Sequence, residues 1–105
     1  MNKIIVVGRL VDNPEYKILP SNVHILQFRL AIQKNNGQTV FINCVTFDKS
    51  ADVCQKYLQK GTKILIDGYL DMLQNEKGTF YSIVANNIEF LHNTKNQQSE
   101  DTKNV

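Results

Sequence analysis

Residues 23–47, VHILQFRLAIQKNNGQTVFINCVTF, decide the fold. From Val23 to Gln33 the residues alternate, with His24, Leu26, Phe28, Leu30 and Ile32 on one side and Ile25, Gln27, Arg29, Ala31 and Gln33 on the other. Thr39 to Phe47 alternates as well: Val40, Ile42, Cys44 and Thr46 share one side, and Phe41, Asn43, Val45 and Phe47 the other. A period of two marks a strand with one buried face. Between the runs, Asn35-Asn36-Gly37 reads as a hairpin turn. A two-residue turn at Asn36-Gly37 would set core Phe28 against Val45. A three-residue loop, with Gly37 in the left-handed position, sets Phe28 against Cys44, Leu30 against Ile42 and Ile32 against Val40. A slip of one residue flips every side chain, so the three-residue loop is the consistent choice. It also places Arg29 opposite Asn43 and Ala31 opposite Phe41.

Working outward, Lys3 to Leu10 reads as a strand rich in β-branched residues, broken by Asp12-Asn13-Pro14. Tyr16 to Leu19 is a short second piece before the Pro20-Ser21-Asn22 turn. After Phe47 comes the one helix. Ser50 is its expected N-cap, Asp52 suits the positive end of its dipole, and Gly61 stops it after Lys60. Val53, Tyr57 and Leu58 are its expected apolar stripe. Lys63 to Leu73 is a strand with a bulge or bend expected at Gly68. Asn75 to Gly78 is a hairpin loop, and Thr79 to Leu91 returns as the final strand. Five strands with one helix between the third and fourth is the order of an all-β, five-stranded Greek-key barrel, the OB-fold. The order alone also fits another small barrel.

Composition narrows the classes. The chain has 105 residues, room for one domain, and 42% hydrophobic against 21% charged residues excludes wholesale disorder. Residues 1–92 form the expected domain; the polar, ring-free run 93–105 is expected to be a disordered tail. Twelve Lys/Arg against ten Asp/Glu leave +2, which permits polyanion binding without demanding it. The apolar run Ile4 to Gly8 is too short for a signal peptide or a membrane span, so a soluble, cytoplasmic protein with no membrane role is expected. Cys44 and Cys54 have no CxxC spacing, and His24 and His92 have no ligand-spaced partner, so no metal or cofactor is expected. Cys44 reads as a small buried hydrophobe. Lys56, Lys60 and Lys63 read as a solvated helix end.

If Val40, Ile42, Cys44 and Thr46 fill the interior, Phe41 and Phe47 point outward, with Asn43 and Val45 between them and Arg29 alongside. Rings interleaved with a guanidinium and an amide suit single-stranded nucleic acid, whose unpaired bases stack on aromatic faces while cations meet the phosphates. The same rings could instead cover a second core, a subunit contact or the helix. The pattern alone leaves both readings open.

Taken in order, NKIIVVGRLVDNPE, PSN, QFRLAI, FINCVTFDKSADVCQKYLQKGTKILIDGYL and NNIEFL resemble the bacterial and phage single-stranded DNA-binding protein (SSB) family across residues 1–91. The resemblance implies an OB-fold that wraps single-stranded DNA and assembles as a homotetramer. It implies that Phe41 and Phe47 occupy the base-stacking positions of the third strand. Lys3 matches a basic residue before the first strand, Arg9 a position often polar or basic, and Lys49 the basic position after the aromatic strand. Gly8-Arg9-Leu10 and Asp67-Gly68-Tyr69-Leu70 match framework motifs. Three features depart from the family. The loop from Gln33 to Thr39 is short and lacks the aromatic expected near its start. Asp71, Leu73, Gln74 and Asn75 stand where basic residues and a ring are expected. The end, SEDTKNV, lacks the acidic, hydrophobic tip that recruits partners, which suits a phage, plasmid or accessory form.

The expected function is sequence-nonspecific coating and protection of single-stranded DNA in replication, recombination and repair. Phe41 and Phe47 stack bases beside Asn43, and Arg29, Lys49, Arg9, Lys3 and Lys34 neutralise phosphates. Tyr69 is a lesser candidate, since it shares its side with Asp67 and Asp71. A second class is a protein-interaction subunit on the same barrel, with weak or no DNA binding; an RNA-binding module is a related alternative. No small-molecule substrate is implied. An enzyme fits least, with Glu15, Glu76 and Glu89 in separate segments and no nucleophile-base set.

Overall fold

Strands β3 (His24–Gln33) and β4 (Thr39–Phe47) pair antiparallel in the register that the alternation requires: Phe28 faces Cys44, Leu30 faces Ile42 and Ile32 faces Val40. Lys34 closes the turn by donating its N–H to Gln38 O at 2.7 Å, which leaves Asn35-Asn36-Gly37 as the three-residue loop, with Gly37 at φ 86°. The structure, a computed structural model, describes residues 1–91. The expectations for His92 and for the tail 93–105 lie outside the described residues.

Around this hairpin stand β1 (Ile4–Leu10), β2 (Glu15–Ile18), α1 (Asp48–Cys54), β5 (Lys63–Asn75) and β6 (Gly78–Phe90). β1 and β2 both lie antiparallel to β3: Arg9 faces Ala31 and Leu10 faces Leu30, while Glu15 to Ile18 face Gln27 to His24. They are two halves of one partner strand, broken where Asp12-Asn13-Pro14 was expected to break it. β1 pairs with β5, β5 with β6, and β6 runs parallel to β4 from Asn43–Ser82 to Val45–Val84. With the β1–β3 contact the sheet closes into a ring of five strands, the OB-fold arrangement.

Inside the ring sit Leu10, Leu26, Phe28, Leu30, Cys44, Ile64, Ile66 and Ile83, joined by Ala51, Cys54 and Leu58 from α1 and the turn after it. The two closest backbone approaches fall on glycines. A Cβ on Gly8 would lie 2.5 Å from Ala31 O, where β1 closes against β3, and one on Gly68 would lie 1.9 Å from Val84 O. The irregularity expected at Gly68 is a bulge whose extra residue is Asn86 of β6, because Asp67 faces Asn87 while Gly68 faces Ala85.

Two local expectations are corrected. The helix begins at Asp48, two residues before the expected cap, and ends at Cys54 rather than Lys60. Ser50 lies within it and accepts a 2.9 Å hydrogen bond from the Thr46 hydroxyl. Its buried face is therefore Ala51, Cys54 and, in the turn beyond, Leu58, while Val53 and Tyr57 are exposed. Two positions turn a helix by about 200°, so Val53 cannot share a side with Ala51. Val40, expected inside, is exposed, because β4 meets β6 only from Asn43 to Val45 and Val40 lies past the closed part of the ring.

Candidate nucleic-acid interface

Residues paired across strands project from the same side of a sheet, so the outward face is organised in rows. One row runs Phe41–Ala31–Arg9–Lys63 from β4 through β3 and β1 to β5. The next runs the other way round the ring, Arg29–Asn43–Ser82–Asp71 across β3, β4, β6 and β5. A third is Glu15–Gln27–Val45–Val84–Tyr69, and a fourth is Lys17–Ile25–Phe47.

Phe41 and Phe47 are 51% and 39% exposed. Of the alternatives left open by the sequence, two fall: neither ring is sealed in a second core or covered by α1. Arg29 Cζ lies 5.1 Å from the centre of the Phe41 ring, a cation–π contact. One side of Phe41 is thus roofed by a guanidinium, itself a plane on which a base can stack.

Two open grooves flank this face. The first is lined by Arg9 and Lys63 with Val7, Ala31, Gln33 and Thr39. The second runs from Phe47, past Arg29, Asn43, Val45 and Ser82, to Leu73, Phe80 and Tyr81 on the β5–β6 hairpin. Asp12, Glu15 and Asp71 also line it.

Of the residues expected from sequence, Phe41, Asn43, Phe47, Arg29 and Arg9 come together, whereas Tyr69, in a row with Val84 and Val45, lines neither groove. Lys34 lies in the loop beyond Phe41, its Nζ 3.4 Å from Gln38 Oε1. Lys49 is exposed in the first turn of α1, beyond Phe47. Lys3 stands apart: its Nζ lies 2.9 Å from Asp67 Oδ1, so its charge is already partnered. Arg9 donates to Gly61 O at 3.0 Å, which holds its side chain at the groove edge.

Sequence reasoning missed two contributors. Phe80, opposite Leu73, belongs to the outward side of β6 with Ser82. The signal was present: a two-residue turn between Asn75 and Gly78 fixes the hairpin register and puts rings on the returning strand. Lys63, read as part of a solvated helix end, is registered directly against Arg9.

The end of β4 is held by a clasp that was also unforeseen. Tyr16 donates its hydroxyl to Asp52 Oδ1 at 2.6 Å, and His24 Nδ1 lies 2.7 Å from the same oxygen. A carboxylate only accepts, so the imidazole proton sits on Nδ1. Hydrogen bonds from Tyr16 and then His24 hold the Asp52 carboxyl below its usual range, and the bond to Asp52 pushes the Tyr16 hydroxyl up. Asp48, at φ 51°, accepts from the His24 N–H at 3.1 Å, which fixes the sharp turn after Phe47. Burial pushes the Cys44 thiol up to about 12, as befits a core hydrophobe rather than a nucleophile.

A closed five-stranded ring with open rings and cations along one sheet face defines an OB-fold of the nucleic-acid-binding kind. The chain belongs to the Single-strand binding protein family, whose sequence model matches residues 1–91. Single-stranded DNA-binding protein 1 of Staphylococcus aureus (strain COL) is 34% identical over 110 residues, covering 94% of this chain and 66% of its own. The single-stranded DNA-binding protein of Fusobacterium nucleatum is 38% identical over 102 residues, covering 86% and 66%. That of Halalkalibacterium halodurans is 29% identical over 116 residues, covering 100% and 68%. The chain spans about two thirds of the length of these curated relatives. Among the described residues, no helix is long and apolar enough to cross a membrane.

Proposed function

We propose that this chain binds and coats single-stranded DNA without needing a particular sequence, in replication, recombination and repair in the cytoplasm. One observation carries the reading: Phe41 and Phe47 stand open on one strand, with Asn43 between them and Arg29 on the neighbouring strand. Bases stack on the two rings. Phosphates meet Arg29, Arg9, Lys49 and Lys34, together with Lys63. Lys3 contributes less, because Asp67 engages it. Tyr69 lies at the edge of the path. Ile5, exposed on the outward side of β1 and outside both grooves, supports the homotetramer that the family resemblance implies. Several such sites on one assembly add avidity through effective concentration.

The test is a fluorescence titration with oligo-dT at low salt, repeated as salt is raised. Binding that weakens with salt is the expected result, since phosphate contacts release counterions. The three carboxylates of the second groove favour one rival, a protein-interaction subunit on the same scaffold. Absence of oligo-dT binding at low salt would leave that rival standing. Competition between oligo-dT and oligo-U distinguishes DNA from RNA.

A further inference from the structure

A phosphate path has no use for a carboxylate, yet Asp71 closes one row of this face. Its row is Arg29–Asn43–Ser82–Asp71, and all four residues line the groove between Phe47 and the hairpin rings. Asp71 Oδ1 accepts from the Met72 N–H at 2.9 Å, which orients the carboxylate. Its second oxygen has no partner among the described residues. Asp71 and Asn43 flank Ser82 two interstrand steps apart, about 10 Å at the backbone, which is the width of a base with its hydrogen bonds. Phe80 lies two residues before Ser82 on the same side of β6, one row nearer the hairpin tip.

We propose that Asp71 reads the base edge and biases this face toward bases that carry an exocyclic amino group, cytosine over thymine among the pyrimidines. The inference rests on the single-stranded DNA reading above and deepens it. A carboxylate only accepts hydrogen bonds. Cytosine offers its N4 amino group as a donor, and an acidic side chain accepting from that amine is a known pairing. Thymine places the O4 carbonyl at the same point, where it meets the carboxylate with like partial charge. Asn43 and Ser82 supply donors for the remaining cytosine acceptors. The arrangement separates labour: Arg9 and Lys63 hold the backbone on one side of β3 and β4, and Asp71 inspects the bases on the other.

The experiment compares oligo-dC and oligo-dT of equal length, above neutral pH and at one salt concentration, by anisotropy. The parent, Asp71→Asn and the control Glu15→Gln are titrated in parallel. Comparing ratios between variants cancels differences between the free strands. Asp71→Asn is expected to lower the advantage of dC over dT by about fivefold, while Glu15→Gln changes both affinities by the same factor. If Asp71→Asn also shifts both strands equally, Asp71 acts only as a repelling charge and the inference falls, with the DNA-binding reading intact. If the parent binds neither strand, the DNA-binding reading itself falls and takes this one with it.

Discussion

The two grooves on either side of β3 and β4 differ in sign. The one reaching toward β5 holds Arg9 and Lys63 with no carboxylate in its lining; the one reaching toward the hairpin sets Arg29 against Asp12, Glu15 and Asp71. Both carry aromatic or apolar surface at their borders, so the difference is one of charge rather than of hydrophobicity. On the proposed reading, a polyanion lying across such a face meets two cations in the first groove, Arg9 and Lys63, and one in the second, Arg29. On that reading, affinity and the proposed base preference fall to different strands of one small ring.

The most forceful attempt to break this division is removal of a ring. Phe47→Ala should leave the melting temperature near that of the parent, because the ring is partly exposed, and weaken oligo-dT binding by about 1–3 kcal/mol, which is roughly 5- to 150-fold. A folded variant that binds as tightly as the parent would remove stacking from the account. Next in size is the cationic groove. Arg9→Ala with Lys63→Ala should make the slope of log affinity against log salt shallower by about 0.7 for each cation. Lys3→Ala should change it less, since Asp67 already engages that lysine; an equal change per cation would erase the distinction between groove cations and a partnered one.

A smaller effect sharpens it from the other side. Asp12→Asn or Glu15→Gln should tighten binding of any strand, by less than about tenfold at low salt, with the gain vanishing as salt screens the charge. The smallest effect lies outside both grooves. Asp52 is held ionised by Tyr16 and His24, so its contribution to stability is present above the usual carboxylate range and is lost as pH falls through its lowered value. Asp52→Asn should therefore lower the melting temperature near neutrality. The gap from the parent should narrow as pH drops below about 4. Tyr16 works in the opposite window: its raised value means stability present below about 10 and lost as pH climbs past it. DNA affinity near neutral pH should not follow either limb, and binding measured across the same range checks this.

What could be read from the sequence follows from how far each interaction reaches. The β3–β4 register was legible because a slip would have exchanged the two sides of both strands, and it delivered Arg29 beside Asn43 and Ala31 beside Phe41. Phe41 and Phe47 were legible as outward residues, but not as uncovered ones; that needed the whole ring. The helix was misphased because its start is fixed by Asp48 reaching the His24 backbone, a contact between segments far apart in the chain. The Tyr16–His24–Asp52 clasp was invisible for the same reason, and His24 looked idle without it. Lys63 escaped because its partner Arg9 becomes a neighbour only once β5 is placed, whereas Phe80 was within reach through the local turn between Asn75 and Gly78. Local chemistry named the rings, and long-range closure named their companions.

That closure has a consequence for synthesis. Ile4 meets Gly68 and Arg9 meets Lys63, so the earliest strand of the ring must wait for the fifth before its edge is satisfied. Until then β1 is a short β-branched ribbon with open amide groups, the kind of segment that nascent chains pair wrongly or hand to chaperones. Gly8, which leaves no room for a methyl group against Ala31 of β3, makes the other edge of β1 depend on one bare backbone position. Folding speed should therefore be set by the arrival of β5, long after the aromatic hairpin has taken shape.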